Sequence, residues 1–590
     1  MCGLNGILRL SKSESPPDLD EVKAARDVMA SRGPDGEGLW ISPQRDLALG
    51  HRRLAIIDLS ESGLQPMTSA DGRYSIVFNG EIYNYRELRG ELEARGARLR
   101  SQSDTEVLLE LFAREDVCVF RRLRGMYAFA IWDEEEKRLL LARDPHGIKP
   151  LYYSENGHHL RFASQVRALR VSPAVQAEPD PAGVVGFLLW GSVPEPRTWL
   201  KGVRCLEAGH VLEVRHGNVR PPRAYEAWSP QLPVSGDAVS AAIEDSVRAH
   251  LVSDVPVGVF LSSGLDSSVI AALAKRNLPQ PPLTFTVTFE AFEGTPLDEG
   301  PGAREVARAL GLPHIEKRVG RPQLEGLWTG SLHALDQPSI DGFNVYVVSH
   351  FAHEAGVRVI LSGLGGDEIF GSYPSFRQVP ALASWTPLLR AIPGLQTVWP
   401  AACRVLAPDR PKLAGLLRFG VGLAGAYYLR RGLFLPDELA DVIGPDMASQ
   451  GLSAYNPIED VAHHVEEPPP RDAWSAVHFM ESGQYLRNQL LRDADWASMA
   501  HSLELRVPFV DHHLTATLGA ARFEPAKTHG KAKLMQRCWK EVPSRLLARP
   551  KSGFTIPVPT TDGRNRTLGL AARATALEVL RHFGLAGLQC

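Results

Sequence analysis

The residue whose position most directly suggests chemistry is Cys2, in the opening segment MCGLNGIL. Methionine is normally removed when a small residue such as cysteine follows it, so we expect the mature chain to begin at Cys2. Its α-amino group, whose ordinary pKa is about 7.7 to 8.0, would then lie within reach of its own thiol. One residue would supply both nucleophile and base, directly or through a water molecule. A cysteine at position 2 is more often incidental, so its meaning depends on the motifs around it.

A second candidate is LSSGLDSS at residues 261–268, which lies between a predicted strand and a predicted helix. Backbone N–H groups at a helix N-terminus bind anions readily, so this turn is a candidate phosphate site. The sequence contains no GxxxxGK[ST] motif, and no lysine is placed to reach a terminal phosphate. A Gly/Ser turn with Asp266 suits pyrophosphate as a leaving group, with the carboxylate helping to ligate Mg²⁺, and it indicates adenylyl transfer. Taken alone, the turn is more simply explained as a tight turn and helix cap.

A third segment, LSGLGGDEIFGSYP at 361–374, also follows an apolar strand pattern and adds Asp367 and Glu368 in a glycine-rich loop. Adjacent parallel strands place such loops at the same edge of a sheet, which is the usual ligand crevice of an open α/β sheet. Asp266 and Asp367 are therefore predicted to share one Mg²⁺ through oxygen ligands.

Four motifs between about 255 and 557 resemble the synthetase domain of glutamine-hydrolysing asparagine synthetases, in the order of that family: LSSGLDSS, SGLGGDEIFGSY, DADWASMAHSLELRVPFVDHHL and RPKSGFTIP. The first is similar to the SGGxDS loop of ATP-pyrophosphatase domains. The resemblance implies that Lys533, in KAKLMQR, acts on an acyl-adenylate and on ammonia addition; by themselves, Lys531 and Lys533 would be solvated helix charges. It also implies an ATP site made of Leu261, Ser262, Ser263, Gly264, Asp266, Ser267, Val287, Ser362 and Gly363.

Seven motifs of the first half resemble the class II glutamine amidotransferase domain: CGLNGI, SRGPDGEG, GHRRLAIIDLS, VFNGEIYN, SDTEV, GMYAFAIWD and RDPHGIKPLYY. The resemblance implies that Cys2 attacks glutamine while Asn79, through its side-chain amide, and Gly80, through its backbone N–H, form the oxyanion hole. It also implies that the substrate is held by Arg53 at its α-carboxylate and by Glu81 and Asp104 at its α-ammonium.

Each of these residues has a plainer interpretation. Asn79-Gly80 is also the strongest two-residue hairpin signal. Asp104 could be only a helix cap, and Arg53 could be a surface charge. Together with Cys2, these purely structural explanations become improbable. A tight turn at Asn79 would also be compatible with the oxyanion role, because it could aim the amide.

The combined resemblance covers nearly the whole chain and predicts an ATP- and glutamine-dependent amidation. A carboxylate would attack the α-phosphorus of ATP to give an acyl-adenylate and Mg-pyrophosphate, and Cys2 would release ammonia from glutamine. Ammonia is protonated in water at neutral pH, so an enclosed tunnel between the sites is expected. Aspartate is the leading acceptor, with asparagine, AMP, pyrophosphate and glutamate as products. Mg²⁺ with ATP is the expected cofactor, and no prosthetic group is expected.

Three positions depart from the family pattern, and one of them opens an alternative. Leu364 stands where asparagine synthetases commonly carry an acidic residue that would contact the amino acid or assist adenylation. The alternative is therefore an amidotransferase of the same mechanism for another carboxylate, such as a sugar acid or a biosynthetic intermediate. Ser263 for glycine and Ser31 for histidine are tolerable. The retained Cys2 disfavours the β-lactam synthetase branch.

Two further hypotheses belong to other classes of protein. A glutamine-sensing pseudoenzyme is disfavoured by the intact set of site residues, and a glutaminase and ATP-to-AMP assay separates it from an enzyme. A tRNA-modifying ATP-pyrophosphatase is disfavoured by the near-neutral charge and the lack of a basic RNA-binding module.

The elements that position these residues form two predicted domains and a linker. Residues 2–216 read as short strands and a few helices, which predicts an α+β N-terminal-nucleophile sandwich of antiparallel sheets. Residues 217–236, rich in proline and glycine without periodicity, form the predicted linker. From 237 to 590, apolar strands alternate with helical stretches, which predicts a parallel α/β sheet of ATP-pyrophosphatase type with a helical C-terminal part.

Composition excludes several classes of protein. At 590 residues the chain is long enough for two or more cores. Its six cysteines show no disulfide or zinc spacing, which favours a reducing cytoplasm. The longest apolar run, VVGFLLWGSV, is too short to cross a bilayer, and the net charge of −3 without a polybasic tract argues against nucleic-acid or membrane partners. A homodimer is the candidate assembly.

Overall fold

The computed structural model describes residues 1–227, 229, 238–407, 410–463, 465, 470–520, 530–540, 542, 556–557 and 568–585. Its first half contains two antiparallel sheets with helices, and its second half contains one parallel sheet followed by many helices. The predicted fold class is confirmed.

Thirteen strands make up the two N-terminal sheets: β1 (Gly3–Arg9), β2 (Gly36–Ile41), β3 (Leu47–Arg53), β4 (Met67–Thr68), β5 (Tyr74–Ile82), β6 (Gly125–Asp133), β7 (Arg138–Arg143), β8 (Tyr152–Glu155), β9 (His159–Ala163), β10 (Arg204–Cys205), β11 (His210–Arg215), β12 (Asn218–Val219) and β13 (Arg223–Ala224). The first sheet has the order β10-β8-β9-β1-β3-β2. The second has the order β12-β11-β7-β6-β5-β4, and β13 also pairs with β11.

Strands β12 and β13 lie inside the range predicted as the linker, so the antiparallel sheet continues to Ala224, past the predicted domain end at residue 216. Two-residue strands carry no periodicity that a sequence pattern could reveal. Residues 228 and 230–236 of the predicted linker lie outside the described residues.

Five helices accompany these sheets: α1 (Leu19–Val28), α2 (Tyr85–Ala94), α3 (Asp104–Glu115), α4 (Val166–Leu169) and α5 (Pro181–Trp190). The few helices predicted within residues 2–216 are present. Ser103 caps α3, because its side chain accepts a hydrogen bond from the Thr105 backbone N–H at 3.1 Å. The apolar run VVGFLLW forms α5, which is buried all round, as a helix without a polar face must be.

The C-terminal sheet is wholly parallel, with strands β14 (Val257–Phe260), β15 (Thr284–Phe289), β16 (His314–Val319), β17 (Val359–Leu361) and β18 (Glu504–Arg506) in the order β16-β15-β14-β17-β18. Helix α6 (Ala238–His250) precedes β14, and the connections between β14 and β17 contain α7 (Leu265–Asn277), α8 (Gly300–Leu310), α9 (Arg321–Ala334) and α10 (Phe343–Glu354). Because β14 and β17 are neighbours, the loops that follow them meet at one edge of the sheet.

The remaining helices are α11 (Gly366–Phe370), α12 (Ser375–Arg390), α13 (Leu395–Leu406), α14 (Leu416–Phe419), α15 (Gly422–Arg431), α16 (Leu439–Ile443), α17 (Pro445–Ala454), α18 (Pro457–His463), α19 (Ala473–Met480), α20 (Arg492–Met499), α21 (His512–Ala520), α22 (Gly530–Cys538) and α23 (Leu568–His582). A π-helical segment, Glu481–Leu491, joins α19 to α20. Short 3₁₀ turns occur at Ala30–Arg32, Glu61–Gly63, Asp116–Arg121, Glu290–Phe292, Pro411–Gly415, Pro436–Glu438 and Pro508–Val510. Within the described residues, no helix has the length and apolar character needed to span a membrane.

One hydrophobic cluster extends through both halves of the chain. Buried ion pairs also join the halves: the Arg32 guanidinium donates to both carboxylate oxygens of Asp495, at 2.7 and 3.1 Å. Arg124 likewise binds the buried Asp511 at 2.9 Å, and it also binds the partly exposed Asp245 at 2.6 Å. Taking these charges out of water is costly unless they are paired, so the two halves have a specific relative orientation.

Candidate active sites

The first candidate site lies where β1 begins beside β5. The backbone N–H of Cys2 donates to Asn79 Oδ1 at 3.0 Å, and the Asn79 amide nitrogen is buried with no hydrogen-bond partner among the described residues. Burial raises the pKa of the Cys2 thiol. The thiol therefore needs a base to remove its proton as it attacks, while the unpartnered amide N–H groups are available to a developing oxyanion.

Asn79 and Gly80 lie in the middle of β5, in register with Ala128 and Tyr127 of β6. The hairpin-turn interpretation of this dipeptide is therefore wrong. Strand β5 lies so close to β6 at this point that a Cβ on Gly80 would lie 2.1 Å from the Met126 carbonyl oxygen. Glycine is needed for this close approach, and the strand itself holds Asn79 against Cys2.

Arg53, at the end of β3, is buried, and both terminal nitrogens of its guanidinium are engaged. One donates to the Ser60 carbonyl at 2.7 Å, and the other donates to the carbonyls of Ile57 and Asp58. The prediction of a surface charge is therefore wrong. In the structure this fork holds the 57–60 loop, and its role in binding the glutamine α-carboxylate stays a prediction.

Glu81 and Asp104 are brought together as buried carboxylates. Burial raises the pKa of Asp104 to about 6. The Ile82 backbone N–H, which donates a hydrogen bond to this carboxylate at 3.0 Å, lowers the pKa but does not offset burial. Burial, together with Glu504 and Asp104, raises the pKa of Glu81 well above its ordinary value. Two mutually repelling acids in one pocket are best stabilised by an entering cation, and the α-ammonium of an amino acid is such a group.

The structure adds two charged residues to this pocket that sequence reasoning missed, Glu504 and Arg506 of β18. Arg506 is fully buried, donates from Nε to Glu504 Oε1 at 2.6 Å, and lies with Nη2 3.7 Å from Glu81 Oε2. The amino group of Met1 lies 3.0 Å from Glu504 Oε2. Although burial opposes it, Arg506 and that amino group keep the pKa of Glu504 at about 2. The C-terminal sheet thus supplies part of the wall around Cys2.

Arg506 also touches the second candidate site through its backbone. Its carbonyl oxygen accepts a hydrogen bond from the Ser362 N–H at 2.9 Å, at the start of the second glycine-rich loop. One three-residue strand therefore contacts both sites. LELRVPF belongs to a recognised motif, but nothing in its local pattern indicates that its charged residues reach the other half of the chain.

The first glycine-rich loop joins β14 to α7 and is held by its own serines. The Ser262 hydroxyl accepts from the Gly264 N–H at 3.0 Å and lies 2.9 Å from the Ser267 hydroxyl. The hydroxyl of Ser263 is buried without a partner in the described structure. Asp266 lies in the first turn of α7. The loop thus combines helix N–H groups with a carboxylate, as an anion site with a counter-cation requires.

The two glycine-rich loops are pressed together, as predicted from their positions on adjacent strands. A Cβ on Gly366 would lie 2.8 Å from the carboxylate carbon of Asp266, and one on Gly363 would lie 3.0 Å from the Asp266 Cβ. The Lys531 ammonium bridges Asp266 Oδ2 at 2.6 Å and Asp367 Oδ1 at 3.0 Å. One positive centre therefore reaches both carboxylates.

This arrangement fits the expected Mg²⁺. Mg²⁺ prefers oxygen ligands and is usually held by one or two carboxylates together with substrate phosphates. Asp266 and Asp367 supply those carboxylates. Among the described residues, no group of three or more His, Cys, Asp or Glu side chains is placed to hold a metal, so the phosphates would have to complete the set.

Lys533, the lysine predicted to act at the adenylate, is not brought to these carboxylates. It is exposed on α22, whereas Lys531 of the same helix is partly buried against them. Residues two apart on a helix point to nearly opposite sides, so both cannot face one site. The interpretation of Lys531 as a solvated charge is wrong. In the sequence, only its position two residues before Lys533 indicates that it could belong to the site.

The other predicted ATP-site residues lie along the same edge of the sheet. Leu261 and Val287 are buried at β14 and in β15, and the Leu261 N–H donates to the Phe285 carbonyl at 2.8 Å. The hydroxyl of Ser362 accepts from the Leu364 N–H at 3.3 Å, and the partly buried Leu364 side chain packs against the core. Most of the RPKSGFTIP motif, residues 549–555, lies outside the described residues.

Comparisons with known proteins match both halves. A glutamine amidotransferase domain model matches residues 1–226, and an asparagine synthase model matches residues 238–586. The glutamine-hydrolyzing asparagine synthetase 1 of Bacillus subtilis strain 168 is 34% identical over 95% of this chain and 87% of its own length. Its asparagine synthetase 3 is 29% identical over 97% and 89%. Amidase chry2 of Gibberella zeae is 27% identical over 87% and 82%.

Proposed function

The chain belongs to the family of glutamine-hydrolysing asparagine synthetases, carbon–nitrogen ligases that use glutamine as nitrogen donor, and we propose that it converts aspartate to asparagine through an aspartyl-adenylate. The glutaminase reaction is assigned to the N-terminal antiparallel part and the ligase reaction to the part that begins at α6. The proposed products are asparagine, glutamate, AMP and pyrophosphate.

In the proposed glutaminase reaction, the Cys2 sulfur attacks the side-chain amide carbon of glutamine. The α-amino group of a mature chain that begins at Cys2 takes the thiol proton and passes it to the leaving nitrogen, so that ammonia departs and a thioester remains. Asn79 and Gly80 stabilise the oxyanion, Glu81 and Asp104 hold the α-ammonium, and water then hydrolyses the thioester to glutamate.

In the proposed ligase reaction, a carboxylate oxygen of the acceptor attacks the α-phosphorus of ATP. The bond to the β-phosphate oxygen breaks, and pyrophosphate leaves into the 262–268 loop. Asp266 and Asp367 would hold Mg²⁺, which when bound neutralises charge on that leaving group. Ammonia then attacks the acyl carbon and AMP departs.

An enclosed route for ammonia is part of the proposal. Ammonia in bulk water at neutral pH becomes ammonium and loses its lone pair, so the nitrogen must reach the adenylate without meeting solvent. The buried β18 strand, which touches the glutaminase pocket through Arg506 side-chain atoms and the adenylate loop through the Arg506 carbonyl, supports a short internal connection.

The observation that carries the proposal is the joining of the two glycine-rich loops with Asp266 and Asp367 around one cation position, in a chain whose other half holds a buried Cys2–Asn79 pair. A structural turn and cap would not need two facing carboxylates at the same sheet edge. An enzyme that transfers an adenylyl group does.

The test is a panel of carboxylates, aspartate first, scored by pyrophosphate release with glutamine and ATP present. We expect aspartate to give stoichiometric pyrophosphate, AMP and asparagine. If none of the carboxylates in the panel gives pyrophosphate, coupled amidation is contradicted. If another carboxylate gives pyrophosphate and aspartate does not, the proposed substrate is contradicted.

The second candidate is amidation of another carboxylate, and Leu364 is the observation that favours it. An apolar side chain at this loop position cannot bind an ammonium group or polarise a carboxylate. Two fungal relatives that carry the name amidase, chry2 and chyE, fit this alternative only loosely. The variant Leu364→Glu separates the two candidates. If the variant turns over aspartate and the wild type does not, the native acceptor is a different carboxylate.

A further inference from the structure

Helices α12 and α13 carry an apolar surface that no other described part of the protein covers. We call it the hairpin surface and define it by Trp385, Leu388, Ile392, Val398, Val405 and Leu406. Their exposed fractions run from 49% for Ile392 to 82% for Leu406. The other exposed large apolar side chains of the described structure are scattered along the sequence, between Leu19 and Val421. A concentration of this kind marks a surface that binds something.

The pattern is that of two amphipathic helices. On α12, Leu388 follows Trp385 by three residues, and Ile392, just beyond the helix, continues the stripe, whereas Phe376 and Val379 are buried on the other side. On α13, Val398 and Val405 are seven residues apart and exposed, whereas Cys403 is buried. Each helix thus uses one side for the fold and presents an apolar side outward.

The charged side chains of α12, α13 and the turn that joins them are all of one sign. Arg377, Arg390 and Arg404 are exposed, and none of them forms an ion pair with another described residue. No aspartate or glutamate occurs in the sequence between Glu368 and Asp409. The net charge of −3 for the whole chain therefore conceals a stretch, residues 369–408, whose charged residues are all basic.

We propose that the hairpin surface binds the surface of an anionic lipid bilayer. Apolar side chains and a tryptophan would enter the boundary between headgroups and acyl chains, and Arg377 and Arg404 would contact lipid phosphates. Neither helix is long enough to span the bilayer, so the protein would lie on the membrane. A protein partner or a second copy would need acidic groups to match these arginines, which this chain does not offer within the hairpin.

The experiment is flotation of the full-length protein with vesicles of phosphatidylcholine, with or without about one third phosphatidylglycerol. We expect flotation with the anionic vesicles and on the order of tenfold less with phosphatidylcholine alone. The variant Leu388→Ser/Val405→Ser/Leu406→Ser should lose flotation by about tenfold or more. Replacing Arg377, Arg390 and Arg404 by Gln should remove the preference for anionic vesicles.

The matched control is Leu297→Ser/Ile315→Ser, which removes exposed apolar side chains outside the hairpin and should leave flotation unchanged. Glutaminase and pyrophosphate-forming activities without vesicles should be unchanged in all three variants, because none of the substituted residues belongs to the candidate sites. Absence of wild-type flotation, or equal loss in the control, would overturn the proposal. So would a wild-type dimer that the hairpin variant converts to monomers without any vesicle binding, because a second copy would then cover the surface.

Discussion

At the scale of single residues, the glutaminase proposal depends on a side chain that a sequence pattern alone assigns to a turn. Asn79→Ala should lower glutaminase kcat by about 10²- to 10³-fold, because one preorganised oxyanion donor is lost. Steady-state glutamate release measures this change. Asn84→Ala is the matched control, since Asn84 belongs to the same VFNGEIYN motif but donates to the Arg122 carbonyl at 2.8 Å. An unaltered rate in Asn79→Ala would leave Asn79 with a structural role only.

Asp104 gives the same pocket a predictable pH dependence. Its folded pKa of about 6 lies above the ordinary value, so the carboxylate is ionised above about pH 6 and protonated below it. Since only the ionised form attracts an ammonium group, the KM for glutamine should rise as the pH falls through about 6. Asp104→Asn should raise KM above about pH 6, towards the value of the protonated wild type, and abolish this step. A step that persists in the variant would assign the titration to another group.

At the scale of elements, β18 links the two sites through a buried charge cluster. Arg506→Met removes the buried guanidinium between Glu504 and Glu81, so it should destabilise the protein by about 3–5 kcal/mol and raise the KM for glutamine. Urea unfolding and glutaminase kinetics provide the measurements. Arg418→Met, which breaks a pair with Asp437 whose side chains are 65% and 57% exposed, should cost about 0–1 kcal/mol. Equal costs for the two variants would contradict the importance of the buried cluster.

The rotation of α22 about its axis decides which lysine faces Asp266 and Asp367. Lys531→Ala should stop AMP formation while glutaminase persists, as should Asp266→Asn, because both remove charge from the site of pyrophosphate departure. Lys533→Ala should leave AMP formation within about a few-fold of wild type, since surface substitutions have small effects. Lys533→Ala is the matched control for Lys531→Ala, because the two lysines lie two residues apart on the same helix. The opposite order of effects would restore the role that family resemblance implies for Lys533.

At the scale of the whole molecule, two reactions share one chain but not one site. Cys2→Ala should abolish glutamine-dependent synthesis and preserve ammonia-dependent synthesis, because the proposed ligase site would accept ammonia from either source. Product assays with glutamine and with ammonium salts, run in parallel, measure this. Cys118→Ala, at an exposed cysteine, should affect neither. Loss of both activities in Cys2→Ala would contradict two separable sites.

Local patterns in the sequence were sufficient for a large part of this result. Strand and helix periodicity predicted the two kinds of sheet, and the two glycine-rich segments after apolar strands predicted that Asp266 and Asp367 would meet. These inferences succeed because periodicity and turn chemistry act over a few residues, and because adjacent parallel strands must deliver their loops to one edge.

Other features were decided only by tertiary structure. Asn79-Gly80 lies in a strand because β5 and β6 pair through it, although the dipeptide alone favours a turn. Lys531 rather than Lys533 faces the carboxylates because packing sets the rotation of α22. Arg506 reaches Glu81, which is distant in sequence, because the two halves dock. Each outcome depends on contacts between residues far apart in the chain, and the free energy of such contacts is not encoded in any local pattern.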